Sequence, residues 1–510
     1  MEYILQAIQT SFEPYNLLVM ALATAAGLIM GMLPGLSATM AIALLTGLTY
    51  NFPTQTALIA LVSVYVGAIS GGCQSAILIN IPGTPASAAT ALDGHPIAKR
   101  GEGGLGIFLA TTSSMFGTLI SVIFVLCFTP ILTKFALKFA SWEFFMISIF
   151  GILICGSLTS NGNVLKGWIS GIMGLIVAMI GLDIVDTYPR FCYGNVNMMG
   201  GIQLIPVMIG LFGFPEIVKA FKKDDSNQAQ KMSSFNMKKG WKLMAKHWWA
   251  VIRSGVIGVC VGIIPGVGED VGGWLGYWTS KKTSKHPETF GTGEELGVIS
   301  AETGNNSCIG GAIIPVLSLA VPGSAPAAVL LAAFYMHGYR PGPLLMSETP
   351  DFIYRVGVYL AVAAIAMWAL ALVISKASVR ILSLDKKILM PIIYVLCVIG
   401  SYLINYNLFD VKVMFVFGLI GLALSNFQFP SSPFLLGVIL GSMADQNLRR
   451  GLRISKGSLA PMFQRPICLA FLVINICMIL SQMGVFSKLK KLIFKNKSAA
   501  DVSSVEKEAE

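Results

Sequence analysis

A chain of 510 residues that is 55% hydrophobic and only 12% charged, with a mean hydropathy of +0.73, is not a soluble globular domain, which carries about twice that share of charge. The formal net charge of +11 would fit nucleic acid in a soluble protein, but here Lys and Arg sit in short loops and tails, the bias that orients membrane spans, so nucleic acid is excluded as a partner. Nine scattered cysteines without a C-x-x-C pair, and histidines confined to separate loops (His95, His247, His286, His337), exclude a disulfide framework and a histidine metal site.

The chain opens with MEYILQAIQTSFEPYN, which has two Glu and no Lys or Arg, the reverse of a basic leader. The apolar run at 17–33 is therefore expected to remain in the mature protein. From Pro14 to Leu92 there is no Asp, Glu, Lys, Arg or His, enough chain for several membrane spans. Two apolar stretches over 17–50 meet at Leu33-Pro34-Gly35. Another, 55–72, ends at Gly71-Gly72, and short apolar pieces at 74–81 and 85–92 flank Pro82-Gly83. The polar loop DGHPIAKRGEGG (93–104) leads to spans at about 105–130, 142–158, 164–182 and 202–220. A basic hydrophilic linker, 222–247, follows and is placed in the cytoplasm.

The second half repeats this order. Apolar residues 248–264 lead to Pro265-Gly266, then come 267–279, a charged loop at 281–295, a run at 296–311 and a Pro-Gly-broken piece at 312–335. Spans are expected near 352–375, 389–404, 411–425 and 433–447, with an additional one at 463–485 before a basic tail and a polar end read as disordered. The predicted fold is an all-α polytopic membrane protein with about 11 to 12 membrane segments. Its divisions are a first membrane repeat (1–221), the linker (222–247), a second repeat (248–447), a C-terminal extra span (448–486) and a cytoplasmic tail (487–510).

The echo between halves is specific. Gly27, Gly31, Pro34 and Gly35 recur as Gly258, Gly262, Pro265 and Gly266, and Pro82-Gly83-Thr84 recurs as Pro322-Gly323-Ser324. Loop charge indicates the relative orientation: Lys99 and Arg100 in the 93–104 loop have an acidic counterpart, and the Lys-rich 281–295 loop has an uncharged one at 50–55. Equivalent loops on opposite sides are the signature of inverted-topology repeats with Pro-Gly-broken or re-entrant helices. Two observations oppose it: Lys134 and Lys138 would fall outside, as would Arg449, Arg450 and Arg453 if 433–447 crosses fully.

Pro and Gly interrupt backbone hydrogen bonds that no lipid can replace, so paired breaks point to a buried site. Helices restarting after a break present free amides and a positive dipole end, which suit an anion, while the preceding carbonyl ends suit Na⁺. No Lys or Arg lies between Pro14 and Leu92, so a carboxylate there depends on dipoles, hydroxyls, side-chain amides and a co-transported cation. The candidate substrate- and cation-binding residues are Ser37, Ser75, Asn80, Pro82, Gly83, Thr84, Glu302, Asn305, Asn306, Pro322, Gly323 and Ser324, with Pro34, Gly35, Pro265 and Gly266 as structural breaks. Glycines such as Gly27 and Gly258 are read as helix-packing positions. Glu302 shares a helix face with Asn305 and enters the set as an intramembrane acid, whereas Glu269 and Asp270 are read as wetted boundary residues.

The stretches GMLPGLSATMAIAL, GGCQSAILINIPGTPASAATALDGHPIAKRGE, FGTGEELGVISAETGNN, GGAIIPVLSLAVPGS and HGYRPGP resemble the large membrane (permease) subunit of the tripartite tricarboxylate transporter family, TctA type. The resemblance implies a multi-pass protein of the bacterial cytoplasmic (inner) membrane that carries carboxylates by secondary transport. It also implies a small four-helix membrane subunit, a periplasmic or surface solute-binding protein, no cofactor, and coupling to a cation gradient, with Na⁺ as the expected ion. The family also includes carriers for other organic acids. Two positions depart from its pattern: Ser37 stands where Gly is usual, and Glu269-Asp270 where residues are small and uncharged. The competing readings are a stand-alone anion symporter, a channel, which would need a continuous polar stripe, and an intramembrane hydrolase, for which no nucleophile and base are placed.

Overall fold

The computed structural model describes residues 2–33, 36–159, 163–183, 186–215, 217–218, 235–382, 386–403 and 405–482. Pro34 and Gly35, residues 222–234 of the linker and the tail at 487–510 lie outside the described residues. The first half runs α1 (Glu2–Phe12), α2 (Pro14–Met32), α3 (Ala38–Leu48), α4 (Thr54–Ile79), α5 (Ala88–Ile97), α6 (Gly103–Ala136), α7 (Ser141–Thr159), α8 (Val164–Ala178) and α9 (Leu204–Met208, continued by a wide turn over Ile209–Gly213). The second half runs α10 (Met237–Lys246), α11 (Trp248–Ile263), α12 (Gly268–Thr283), α13 (Glu295–Leu319), α14 (Ala325–Met336), α15 (Phe352–Leu382), α16 (Lys386–Leu403), α17 (Leu408–Asn426) and α18 (Ser431–Ile454), and α19 (Pro466–Gln482) follows.

Among the described residues, five helices are long and apolar enough to cross a membrane, and eight further apolar helices have 10–17 residues. Helices stand in most of the expected segments, and those at Ala38–Leu48, Trp248–Ile263 and Ala325–Met336, shorter than a full span, adjoin the Pro-Gly positions. One short antiparallel pair, Gly181–Leu182 with Pro189–Arg190, departs from the all-helical expectation. It carries the acids that meet the basic cluster: Arg449 pairs with Asp183 and Asp186, Arg453 with Asp186, and Arg190 with Asp445 at 2.8 Å. Arg449 and Arg453 therefore sit in an ion-pair network at the end of α18, which continues past residue 447. The linker also differs from expectation, because α10 is an amphipathic helix whose Trp241 packs edge-on against Phe108 and Phe116 of α6.

Glycine governs how the long helices approach. A methyl on Gly27 would meet the Val64 carbonyl at 2.5 Å, and Gly31 lies against Ala68, so α2 and α4 pack backbone to backbone. In the second half Gly258 lies against the Gly304 carbonyl, and a methyl on Gly262 would meet the Cys308 carbonyl at 2.6 Å, joining α11 to α13 in the same way. Such small-residue seams compensate for the missing hydrophobic drive between helices in lipid. The halves then interlock, with α6 packed along α13 and α15 along α4. The seams bring both sets of broken helices to the centre.

Candidate functional site: four chain breaks around one cavity

The second break of each half has one backbone design. Helix α4 ends at Asn80 in the left-handed region (φ 57°, ψ 26°), and α13 at Ala320 (φ 56°, ψ 31°). The chain then folds back along the helix just left: Gly83 N–H donates to the Gly72 carbonyl at 3.3 Å, and Gly323 N–H donates to Ala312 at 3.4 Å. Only glycine fits these turns, because a methyl on Gly83 would strike the Gly31 carbonyl and one on Gly323 the Gly262 carbonyl. Beyond Thr84 a turn over Pro85–Ser87 starts α5, and His95 reaches back to within 3.0 Å of the Ile77 carbonyl. Beyond Ser324, α14 starts with the Ser324 hydroxyl accepting from Ala327 N–H at 3.2 Å. Serine at a helix start satisfies an amide that would otherwise be orphaned.

After the Pro34-Gly35 position, Ser37 caps α3 by accepting from Met40 N–H at 3.1 Å. After Pro265, Gly266 (φ +76°) and Gly268 (φ +69°) turn the chain into α12.

Residues at or just after each of the four Pro-Gly positions line a cavity of about 610 Å³. Ser37, Pro82, Gly83, Thr84, Gly266 and Ser324, six of the sequence candidates, line it, and the opposite wall comes from Leu211, Phe212, Pro215, Ser425 and the Gln428–Ser432 segment. No Lys, Arg or His lines it among the described residues, whereas Glu269 and Asp270 do. Glu269 is 3% exposed and accepts hydrogen bonds from Tyr65 Oη and, at 2.9 Å, from Ser324 Oγ. Glu269 is buried in the cavity wall, not in the wetted boundary that the sequence reading gave it, whereas Asp270 beside it lines the cavity and is exposed.

The remaining candidates lie behind the wall or beyond it. Glu302, fully buried, accepts from Thr90 Oγ1 at 2.5 Å and Ser114 Oγ at 2.9 Å. Asn306 accepts from Ser70 Oγ at 2.7 Å and donates to Ser114 Oγ at 2.9 Å, which ties α13 to α4 and α6. Asn305 donates at 3.1 Å to the carbonyl of Ala86, a cavity-lining residue, so it props the wall from the rear. Ser75 donates to the Gly72 carbonyl at 3.2 Å beneath the fold-back. Pro322 and Gly323 are buried in the turn, Asn80 is exposed at the helix end, and Pro265 packs near Gly151. Sequence reasoning did not find Tyr65, Gln428 or the serines of the far wall. Glu269 and Asp270 did carry a signal, their departure from the family pattern immediately after a Pro-Gly break.

A latch also lies beside the site. Asp93 Oδ1 accepts three backbone N–H groups, from Gly291 (2.7 Å), Gly293 (2.8 Å) and Glu294 (2.9 Å), and Arg100 donates to the Gly293 carbonyl at 2.8 Å. The end of α5 in one half is thus fixed to the start of α13 in the other.

The sequence pattern of the tripartite tricarboxylate transporter TctA family matches residues 17–436. An uncharacterized 52.8 kDa protein in the TAR-I ttuC' 3' region of Agrobacterium vitis is 30% identical over 474 residues, 93% of this chain and 94% of that protein. An uncharacterized protein in the TAR-II ttuC' 3' region of the same organism is 31% identical over 202 residues, 39% of this chain and 84% of that protein. No solved structure matches the chain. With the pattern spanning both halves and every chain break, this multi-pass membrane protein belongs to the tripartite tricarboxylate transporter TctA family as a large membrane subunit.

Proposed function

We infer that the chain imports organic acids of the di- or tricarboxylate kind across the bacterial cytoplasmic membrane by cation-coupled symport. It takes them from a solute-binding protein and works beside a small four-helix membrane subunit. The observation that carries this reading is the convergence of four chain breaks on one cavity. The starts of α3 and α14, capped by Ser37 and Ser324, supply oriented amides for a carboxylate. Behind them, Asn305, Asn306 and Glu302 hold the wall in one geometry.

The two halves act as inverted repeats in this reading. The matched fold-backs support equivalence, and the Asp93 latch supports inversion, because it joins the end of α5 to the start of α13, where parallel repeats would bring like ends together. Both latched loops are Lys- and Arg-bearing, as two cytoplasmic loops would be.

The test is uptake of labelled citrate and succinate into proteoliposomes holding this chain and its small subunit. Uptake should require an imposed Na⁺ gradient and added binding protein. Full uptake without the binding protein would identify a stand-alone symporter, and full uptake on a proton gradient alone would remove the Na⁺ assignment.

A further inference from the structure

The cavity has a charge that a bare carboxylate carrier would not choose. Two acids line it and no base does among the described residues, so a di- or trianion entering alone meets like charge in a low-dielectric site. Glu269 lies in the first turn of α12, where a helix dipole favours an acid, and an exposed surface carboxylate there would need no other explanation. Its surroundings differ from that case. The carboxylate is 3% exposed, and Oε1 takes hydrogen bonds from Tyr65, 204 residues away in the first half, and from Ser324 at the other break of its own half. The remaining titratable groups facing it are Asp270 on α12 and Cys308 on α13, and none brings a positive charge. The equivalent turn of the first half, Ala38-Thr39, has no acid, so the negative charge belongs to one side of the cavity only.

The geometry points to Glu269 as the charge-selecting residue of the cavity: it sits opposite a positive charge that arrives with the solute, so the transported species is a carboxylate paired with a cationic group. The carboxylate of the solute faces the acid-free first-half side, at Ser37 and the 82–84 turn, and the cationic group faces Glu269. That group is either an ammonium on the solute itself or a co-transported Na⁺. The hydroxyls of Tyr65 and Ser324 hold the carboxylate in place. This assignment rests on the carrier reading above.

The experiment uses the purified full-length chain with matched probes: L-aspartate, succinate, which has the same carbon skeleton without the nitrogen, and citrate. Each is titrated in NaCl and in KCl, with thermal unfolding as the readout, for the wild type and Glu269→Gln. If the charge is the solute's own, aspartate stabilises the wild type in KCl at a concentration at least about tenfold below succinate, and Glu269→Gln abolishes that preference. If the charge is the co-transported ion, succinate or citrate stabilises the wild type only in NaCl, and Glu269→Gln binds equally in both salts. Tyr65→Phe, which keeps the carboxylate but frees it, should narrow the same preference without abolishing it, and it decides the matter if Glu269→Gln does not fold. Unchanged probe and salt preferences in a folded Glu269→Gln protein, or in Tyr65→Phe where that variant alone folds, overturn the assignment. A wild type that responds to no carboxylate in either salt overturns the carrier reading itself, a different failure.

Discussion

The tips of the two halves share a backbone and differ in chemistry. In each, a left-handed residue ends a long helix, a glycine returns the chain against that helix, and a hydroxyl residue begins the next one. Yet the first half lines the cavity with Ser37, Thr39 and Thr84, and the second adds Glu269 and Asp270 at the positions of Ala38 and Thr39. The scaffold is held by steric demands that only glycine meets, while the side chains three and four residues beyond the first break differ between the halves. The comparison teaches that geometry and selectivity are encoded separately here.

The largest effect should come from the shared scaffold. Gly83→Ala and Gly323→Ala each force a methyl into a backbone carbonyl of the neighbouring helix, and each should cost at least about 3 kcal/mol, visible as loss of monodisperse protein after extraction. If one is tolerated and the other is not, the halves are less equivalent than their contacts indicate. Next, Asn305→Ala should reduce carboxylate uptake by about a hundredfold while membrane insertion is retained, because the cavity wall at Ala86 loses its support. Uptake at the wild-type level would detach the buried network from function.

Intermediate losses should come from the cross-braces. Glu302→Ala leaves Thr90 without its acceptor and removes one acceptor each from Ser114 and Asn306, and it should lower stability by about 2–3 kcal/mol, measured by thermal unfolding in detergent. Asp93→Ala releases three backbone amides and should cost about 1–3 kcal/mol in the same assay, with faster proteolysis in the 286–294 segment. The smallest change is a gain. Ala320 pays for its left-handed conformation more than Asn80 does, so Ala320→Gly should stabilise by about 1 kcal/mol and Asn80→Gly by less. Reversal of that order would show that Asn80 has lost an interaction as well as strain.

How much of this was legible in the sequence follows from the kind of constraint involved. Pro82-Gly83 and Pro322-Gly323 were readable as Pro-Gly pairs in apolar runs, though the close approach to Gly31 and Gly262 that demands glycine there was not. The Asn305-Asn306 pair was readable as polar residues in an apolar run, though not as a brace behind the cavity. Glu269 was misplaced because its depth depends on how α12 packs against α13 and α11, and Tyr65 left no signal because a tyrosine in an apolar helix is ordinary. The far wall, from Ser425 and the Gln428–Ser432 segment, is brought to the breaks only by tertiary packing of α17 and α18. The basic cluster around Arg449 was readable as charge, but not its acidic partners Asp183 and Asp186, which come from more than 260 residues away in the chain.

The brace between Asn305 and the Ala86 carbonyl also bears on how the protein is made. The two partners are 219 residues apart, so the first half enters the bilayer with that wall unsupported and stays so until α13 has been synthesised and inserted. Truncation anywhere before residue 305 therefore leaves an incomplete chamber that membrane quality control can recognise, and the two halves expressed as separate chains would have to find each other in the lipid before either could bind solute.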